Sequence, residues 1–93
     1  MKTKRIVDVK LLLSMREKGC LSCGRKPCDA AHIRSRGAGG DDVFDNMIPL
    51  CRTHHVEQHK IGWVKFLKKY ELESIFSAMG WTIEGLKLKK ACN

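Results

Sequence analysis

Two pairs of potential metal ligands stand out in the sequence. Cys20 and Cys23 form a Cys-x-x-Cys pair followed by Gly24, and Cys51-x-x-His54 supplies a second pair after twenty-seven intervening residues. A tight turn of this kind brings two thiolates within reach of one tetrahedral ion, at about 2.3 Å each. The spacing predicts a structural zinc site made by these two cysteines together with Cys51 and His54. Such a site would contribute folding free energy to a short chain.

The cysteines leave two alternatives open. Cys28 is close enough in sequence to take the fourth ligand position in place of His54. The thiols can also be small buried apolar side chains, as unpaired cysteines often are. The odd number of cysteines, five, and their close spacing favour zinc over the disulfide framework of a secreted protein.

Histidines cluster directly after the second ligand pair. Three of the four histidines, His54, His55 and His59, lie within six positions. If residues 53–60 are helical, His55 and His59 lie one turn apart on the same face, whereas His54 is rotated by about 100°. His54 can then face the zinc while the other two bind a second ion. The alternative is that His55 and His59 are ordinary exposed helix residues.

A longer pattern contains these ligands and carries a resemblance to a known family. Its elements, in order, are Cys20-x-x-Cys23, Ala31-His32-Ile33, Gly39-Gly40, Asn46, Leu50-Cys51-x-x-His54-His55 and His59. This run resembles the HNH endonucleases, whose active site is a ββα-metal finger. Among HNH endonucleases, the run is most similar to the small phage and prophage group related to recombination-associated HNH nucleases. The resemblance covers about residues 20 to 60.

The resemblance implies a metal-dependent DNA endonuclease with assigned roles. His32 matches the general base that draws a proton from water, and Asn46 matches the asparagine that orients the loop and the base. His55 matches the last family histidine and His59 the ligand one turn further on, both binding the catalytic ion. Mg²⁺ and Mn²⁺ are the expected catalytic ions, beside the structural Zn²⁺.

The chemistry is reasonable without the family. Hydrolysis of a phosphodiester needs an activated water, relief of charge on the phosphate and stabilisation of the leaving 3′ oxygen. An imidazole that exchanges protons near neutral pH supplies the first, and one divalent ion supplies the other two. Arg34, Arg36 and Lys60 are close in sequence to these groups and can clamp flanking phosphates of the nucleic acid. Alternatively, these three residues are plain surface charge.

One position departs from the family pattern. Many HNH proteins have Asp or His directly before the general base, where it also binds the metal, but this chain has Ala31. Asp29 would share the strand face of Ala31 and can compensate. Carboxylates of the following loop can also reach in, namely Asp41, Asp42 and Asp45. The missing ligand makes a non-catalytic, zinc-stabilised DNA-binding module the main alternative to a nuclease, with a purely structural metalloprotein as a third hypothesis.

Composition supports a polyanionic partner. The 93 residues include 18 Lys and Arg against 10 Asp and Glu, a formal charge of +8. Such an excess attracts nucleic acid, since each phosphate contact releases condensed counterions. Aromatic residues are only 6% of the chain, so we do not expect base stacking to be the main mode of binding. No apolar run approaches the roughly 20 residues of a membrane span, and we expect a cytoplasmic protein without membrane contact.

Short elements must position these side chains. The apolar spacing predicts a helix over 8–18, with Asp8 as its cap and Gly19 at its stop. Turns and loops follow, with extended pieces at 29–34 and 47–50.

After Cys51 the pattern turns helical. Apolar stripes at 62–70 and 72–79 predict helices, and the tail 81–93 is ambiguous between strand and helix. The sequence therefore predicts a small α+β protein in which a zinc-stapled ββα-metal finger has flanking helices. We expect residues 1–93 to form one nuclease domain. The amphipathic segments can complete one core or form a dimer face, so a monomer, a homodimer and a complex with a recombination protein all remain open.

Overall fold

The computed structural model describes residues 6–90, except for the side chain of Arg36. The chain forms both helices and strands, which confirms the predicted α+β class. In order, they are α1 (Val9–Glu17), β1 (Asp29–His32), β2 (Met47–Leu50), α2 (Arg52–Ile61), α3 (Trp63–Lys69), α4 (Glu73–Ala78), β3 (Trp81–Glu84) and β4 (Lys87–Lys90). The chain divides into two compact units, the first ending at His55 and the second beginning at Val56.

Helix α1 confirms the first predicted element. The Asp8 side chain accepts a hydrogen bond from the backbone N–H of Leu11, which satisfies one of the unpaired donors at the helix start. Met15 is buried and is the anchor of this helix in the first unit. The helix ends at Glu17, one residue before the predicted end at residue 18, because Lys18 already has extended backbone angles.

Strands β1 and β2 form an antiparallel pair that carries the core of the first unit. Ala31 lies opposite Ile48, and His32 lies opposite Met47. Ala31, Met47, Ile48 and Leu50 are all at most 2% exposed, and α1 packs against both strands. Strand β1 ends at His32, earlier than the predicted 29–34, although the next N–H, that of Ile33, still donates to the carbonyl of Asn46.

The second unit has its own apolar core. The aromatic rings of Phe66 and Phe76 are at most 1% exposed, and Trp63 contacts both, at ring-centroid distances of 6.0 Å and 5.6 Å. Helices α3 and α4 confirm the two predicted apolar stripes, with ends shifted by about one residue.

The ambiguous tail is a hairpin of β3 and β4 in the second unit. Trp81 pairs with Lys90 and Glu84 with Lys87, and Gly85 in the turn has a φ of 64°. A left-handed residue suits a tight hairpin turn, which is a local reason for the strand outcome. Residues 91–93 of the predicted tail lie outside the described residues. No helix in the described part of the chain has the length and apolar character needed to cross a bilayer.

Candidate functional site

Four ligand atoms from two segments of the first unit converge. The sulfur and imidazole atoms of Cys20, Cys23, Cys51 and His54 all lie within 4.8 Å of one another. The Cys23 and Cys51 sulfurs are 3.7 Å apart, and His54 Nδ1 lies 3.2 Å from the Cys51 sulfur and 3.8 Å from that of Cys20. A tetrahedral zinc with Zn–S bonds of about 2.3 Å has sulfurs about 3.8 Å apart. The donor set could therefore hold a metal such as zinc.

Backbone hydrogen bonds shape the loop that carries the first ligand pair. Gly24 N–H donates to the carbonyl of Cys20 at 2.7 Å, and Cys20 N–H donates to the carbonyl of Arg25 at 3.0 Å. Gly24 has a φ of 79°, which a side chain would strain. Leu21 N–H donates to the carbonyl of Pro49, so the loop is attached to β2, two residues before Cys51. The two ligand pairs are thereby held side by side.

The thiols of the first pair differ in how easily they ionise. Burial raises the pKa of Cys20, but N–H groups of Cys51, Ser22 and Cys23 outweigh it, and the net pKa lies below the ordinary value. At Cys23, the N–H of Arg25 lowers the pKa, yet burial and the neighbouring thiols together raise it above the ordinary value. Closely packed ligand sulfurs ionise one after the other, because the first thiolate disfavours a second negative charge beside it.

Cys28 lies outside the ligand cluster. Its thiol donates to the carbonyl of Arg25 at 3.1 Å, and burial raises the pKa of this group. The structure therefore places His54, rather than Cys28, with Cys20, Cys23 and Cys51.

His55 is paired with the carboxylate of Asp29. Its Nδ1 lies 2.9 Å from Asp29 Oδ2, and the Arg52 guanidinium contacts both oxygens of the same carboxylate, at 3.2 Å and 3.3 Å. Metal-binding histidines usually donate their second ring N–H to a carboxylate, which fixes the ring and its tautomer. Asp29 has this position at His55: it holds Nδ1 and leaves the other ring nitrogen, Nε2, as the potential metal ligand.

A small cleft opens beside Asp29. It has a volume of about 200 Å³, and its walls include Arg16, Arg52 and Cys28. Two guanidinium groups at one opening favour an anionic ligand group, although the Asp29 carboxylate offsets part of that charge. Neither arginine belongs to a sequence motif, so neither was predictable as a site residue.

His32 is paired with a second carboxylate. Its Nε2 lies 2.8 Å from Asp42 Oδ1, with the histidine side chain 12% exposed and the aspartate side chain fully buried. The other oxygen of Asp42 accepts the backbone N–H of Asp8 at 2.9 Å. Asp42 was one of three loop carboxylates expected to reach in toward the metal. Its observed partner is His32, and nothing in the local sequence separates it from its neighbour Asp41.

Asn46 ties the loop between the strands together. Its Oδ1 accepts the Arg34 N–H at 2.8 Å, and its Nδ2 donates to the carbonyls of Arg34 and Asp41 at 3.1 Å and 2.9 Å. A Cβ on Gly40 would lie 1.8 Å from the Arg34 carbonyl oxygen and 2.9 Å from Asn46 Nδ2. The glycine is therefore required for this closed loop.

The remaining candidates lie on the surface. His59 and Lys60 are exposed in α2, with His59 one helical turn after His55. Arg34 is also exposed, and its Nε donates to the carbonyl of Ala38. The side chain of Arg36 lies outside the described residues. Across the described residues 6–90, the cysteine and His54 cluster is the one group of three or more mutually close metal-ligand atoms.

Ala31 is fully buried in β1 opposite Ile48. Its methyl group belongs to the strand core, so this position supplies no ligand. Asp29, two residues earlier, lies on the same strand face and contacts His55 instead.

Comparison with known proteins agrees with this geometry. Residues 3–88 match the family described as "Putative HNHc nuclease". The chain belongs to this HNH family. It is also 37% identical over 82 residues to the uncharacterized protein YdfU of Escherichia coli K12, a match that covers 81% of this chain and 23% of YdfU. No solved structure matches the chain significantly.

Membership in the HNH family supports the coarse assignment. The resemblance based on the residue pattern is confirmed at the level of the family. This HNH protein spans less than a quarter of the length of YdfU.

Proposed function

We propose that this HNH protein is a metal-dependent DNA endonuclease that hydrolyses phosphodiester bonds. The observation that carries the proposal is the pairing of two histidines with two carboxylates in the first unit. His32 contacts Asp42 and His55 contacts Asp29, at 2.8 Å and 2.9 Å. Histidine held by a carboxylate is a common arrangement both for general bases and for metal ligands. Here the two pairs occur in a chain of a nuclease family.

His32 is the proposed general base. It takes a proton from a water molecule, and the water oxygen forms a bond to phosphorus as the bond between phosphorus and the 3′ oxygen breaks. The leaving 3′ oxygen then receives a proton from solvent. Asn46 supports this step by closing the loop that separates the two strands. The group of His32, Asn46 and His55 is thus the proposed catalytic set.

Two metal roles are proposed for this chain. Zinc on Cys20, Cys23, Cys51 and His54 holds the fold of the first unit. For catalysis, Mg²⁺ or Mn²⁺ on His55 and His59 would relieve charge on the phosphate and the leaving oxygen. Asp29 supports this second role by orienting the His55 ring.

Arg34, Arg36 and Lys60 are proposed to contact the DNA backbone. The exposed positions of Arg34 and Lys60 support this role, as does the overall charge of +8. Phosphate contacts of this kind position the duplex and carry no sequence information.

Nicking of supercoiled plasmid tests the proposed function. Zinc-loaded protein is incubated with and without added Mg²⁺ or Mn²⁺, and the native chain is compared with His32→Ala. We expect nicking that requires the added ion and falls by about 10²- to 10⁴-fold without the base. Zinc content and circular dichroism must match between the two proteins. Equal nicking by both would exclude His32 as the base.

The alternative function is a zinc-stabilised module that binds DNA without cutting it. Ala31 favours it, because a family ligand position is filled by a buried methyl group. If this alternative holds, the native chain binds DNA but leaves duplex, single-stranded and branched DNA intact in either ion. His32→Ala then binds as tightly as the native chain.

A further inference from the structure

We propose that Asp42 is a positioning residue for His32. Its buried carboxylate holds the imidazole in the tautomer with hydrogen on Nε2, which leaves Nδ1 as the atom that accepts the proton of water. This inference rests on the proposed nuclease function for its catalytic meaning. The tautomer itself is a property of the folded chain and can be measured without any substrate.

Two described hydrogen bonds of the Asp42 side chain explain why hydrogen is on Nε2. One carboxylate oxygen lies 2.8 Å from His32 Nε2, and the other accepts the backbone N–H of Asp8 at 2.9 Å. The Asp42 side chain is fully buried, and a buried carboxylate is stable only where donors face it. An ionised carboxylate can only accept, so the imidazole must donate through Nε2. Nδ1 then keeps its lone pair.

The segment before α1 fixes the carboxylate in place. Asp42 N–H donates to the Ile6 carbonyl at 2.9 Å, and Ile6 N–H donates to Asp41 Oδ1 at 2.7 Å. From the other side, Asn46 Nδ2 binds the Asp41 carbonyl. Residues 6–8 and Asn46 therefore hold the same loop from two directions. A base whose ring is fixed before substrate arrives loses less conformational freedom during catalysis.

Asp42→Asn separates this role from simple filling of space. Both described contacts of the carboxylate are with donors, but asparagine offers one acceptor oxygen and one donating NH₂ group. If the oxygen stays on the Asp8 N–H, the NH₂ group faces Nε2 and selects the opposite tautomer, with hydrogen on Nδ1. If it stays on His32, the NH₂ group opposes the Asp8 N–H. Because a backbone N–H can only donate whereas an imidazole can change tautomer, we expect the first arrangement. We expect kcat for nicking to fall by about 10²- to 10⁴-fold while DNA affinity stays within about twofold.

Long-range ¹H–¹⁵N NMR of the zinc-loaded native chain tests the tautomer directly. Spectra are recorded at rising pH, and the tautomer is read from those in which the ring nitrogens show the neutral form. His32→Ala identifies the signals of His32. We expect the pattern of an Nε2–H tautomer in the native chain. An Nδ1–H pattern in the native chain overturns the proposal, and this test needs no Asp42 variant to fold.

Asp8→Asn is the matched control for Asp42→Asn. It makes the same chemical change beside the same contact, keeps the backbone N–H that Asp42 accepts, and keeps a good helix cap. We expect Asp8→Asn to retain the native His32 pattern and native nicking, and folded Asp42→Asn to lose both. A native His32 pattern in folded Asp42→Asn contradicts the proposal. An Nε2–H pattern in a native chain that never nicks DNA supports the positioning and contradicts the nuclease function.

Discussion

At the scale of single residues, the first unit depends on a close approach between Gly40 and Arg34. The backbone of Gly40 lies where a Cβ would overlap the Arg34 carbonyl oxygen, while Asn46 bonds to the same segment. Small changes of volume here must move backbone rather than a flexible side chain. The geometry of the site is therefore sensitive to substitutions at residues that take no part in the chemistry.

Gly40→Ala should open the loop that contains Asn46. A Cβ 1.8 Å from the Arg34 oxygen forces the backbone apart, and we expect a loss of about 2 kcal/mol or more in the free energy of unfolding. Gly37→Ala is the matched control, because the nearest atom to its Cβ would be Ser35 Oγ at 4.0 Å. Urea unfolding of both variants measures the difference. Equal stability of the two would show that the loop adapts to a side chain.

The ligand cluster makes a second prediction at the residue scale. Cys23→Ser should lose tightly bound zinc, because hydroxyl oxygen is a poor zinc ligand compared with thiolate. Cys28→Ser should keep zinc, since Cys28 lies outside the cluster and serine can still donate to the Arg25 carbonyl. Zinc per chain after exhaustive dialysis measures both. Loss of zinc from Cys28→Ser alone would move the fourth ligand from His54 to Cys28.

A third prediction concerns Asp29 and the proposed catalytic ion. Removal of the carboxylate in Asp29→Ala frees the His55 ring, and we expect Mn²⁺ affinity to fall by about 10- to 100-fold. Glu17→Ala, on α1, removes the same charge and is the control. Calorimetric titration of the zinc-loaded protein measures the affinity. Equal Mn²⁺ affinity in both variants would mean that His55 does not bind the ion or that Asp29 does not orient His55.

At the scale of elements, α1 illustrates how far local chemistry determines structure. Asp8 caps the helix through Leu11 N–H, and its own N–H reaches Asp42. The side chain of this residue thus begins a helix, while only its backbone N–H bonds to the carboxylate beside His32. The cap was predictable from sequence, whereas the contact with Asp42 spans 34 positions and was not.

Asp8→Ala should destabilise α1 through the cap alone. Alanine cannot accept the Leu11 N–H, and we expect a loss of about 0.5 to 2 kcal/mol in the free energy of unfolding. Asp8→Asn keeps an acceptor and should change the free energy of unfolding by at most about a few tenths of a kcal/mol. Thermal unfolding of the zinc-loaded variants distinguishes the two. A similar loss in both would attribute the effect to charge instead of capping.

At the scale of the whole molecule, the two units differ in what stabilises them. In the first unit, the cluster of Cys20, Cys23, Cys51 and His54 brings the first ligand loop together with the segment that follows β2. The second unit has an aromatic core of Phe66, Phe76 and Trp63, and an ion pair between Lys69 and Glu57 in which the carboxylate raises the pKa of Lys69. Metal should matter far more to the first unit than to the second.

Chelation of zinc tests this difference. We expect amide hydrogen exchange to accelerate throughout β1 and β2 after chelation, because metal binding and folding are coupled in small metal-dependent units. Exchange in α3 and α4 should change much less. Mass spectrometry of exchanged peptides resolves the two regions. Uniform acceleration over both units would show that the second core also depends on the metal.

Sequence alone determined the features that depend on neighbours a few positions apart. Cys-x-x-Cys and Cys-x-x-His spacing, the i, i+4 pair His55 and His59 and the Asp8 cap are local, and the backbone geometry of turns and helices makes them readable. The order of these motifs along the chain indicated the HNH family. Chain-wide charge likewise needed no structure to indicate an anionic partner.

Only the tertiary structure decided which polar groups meet. Asp42 reaches His32 across 10 positions and Asp29 reaches His55 across 26. Several loop carboxylates were equivalent in the sequence, and Cys28 was equivalent to His54 as a ligand. The choice among them depends on how β1, β2 and the loop pack against each other. This packing sets the distances between side chains, and the spacing of residues along the sequence does not give those distances.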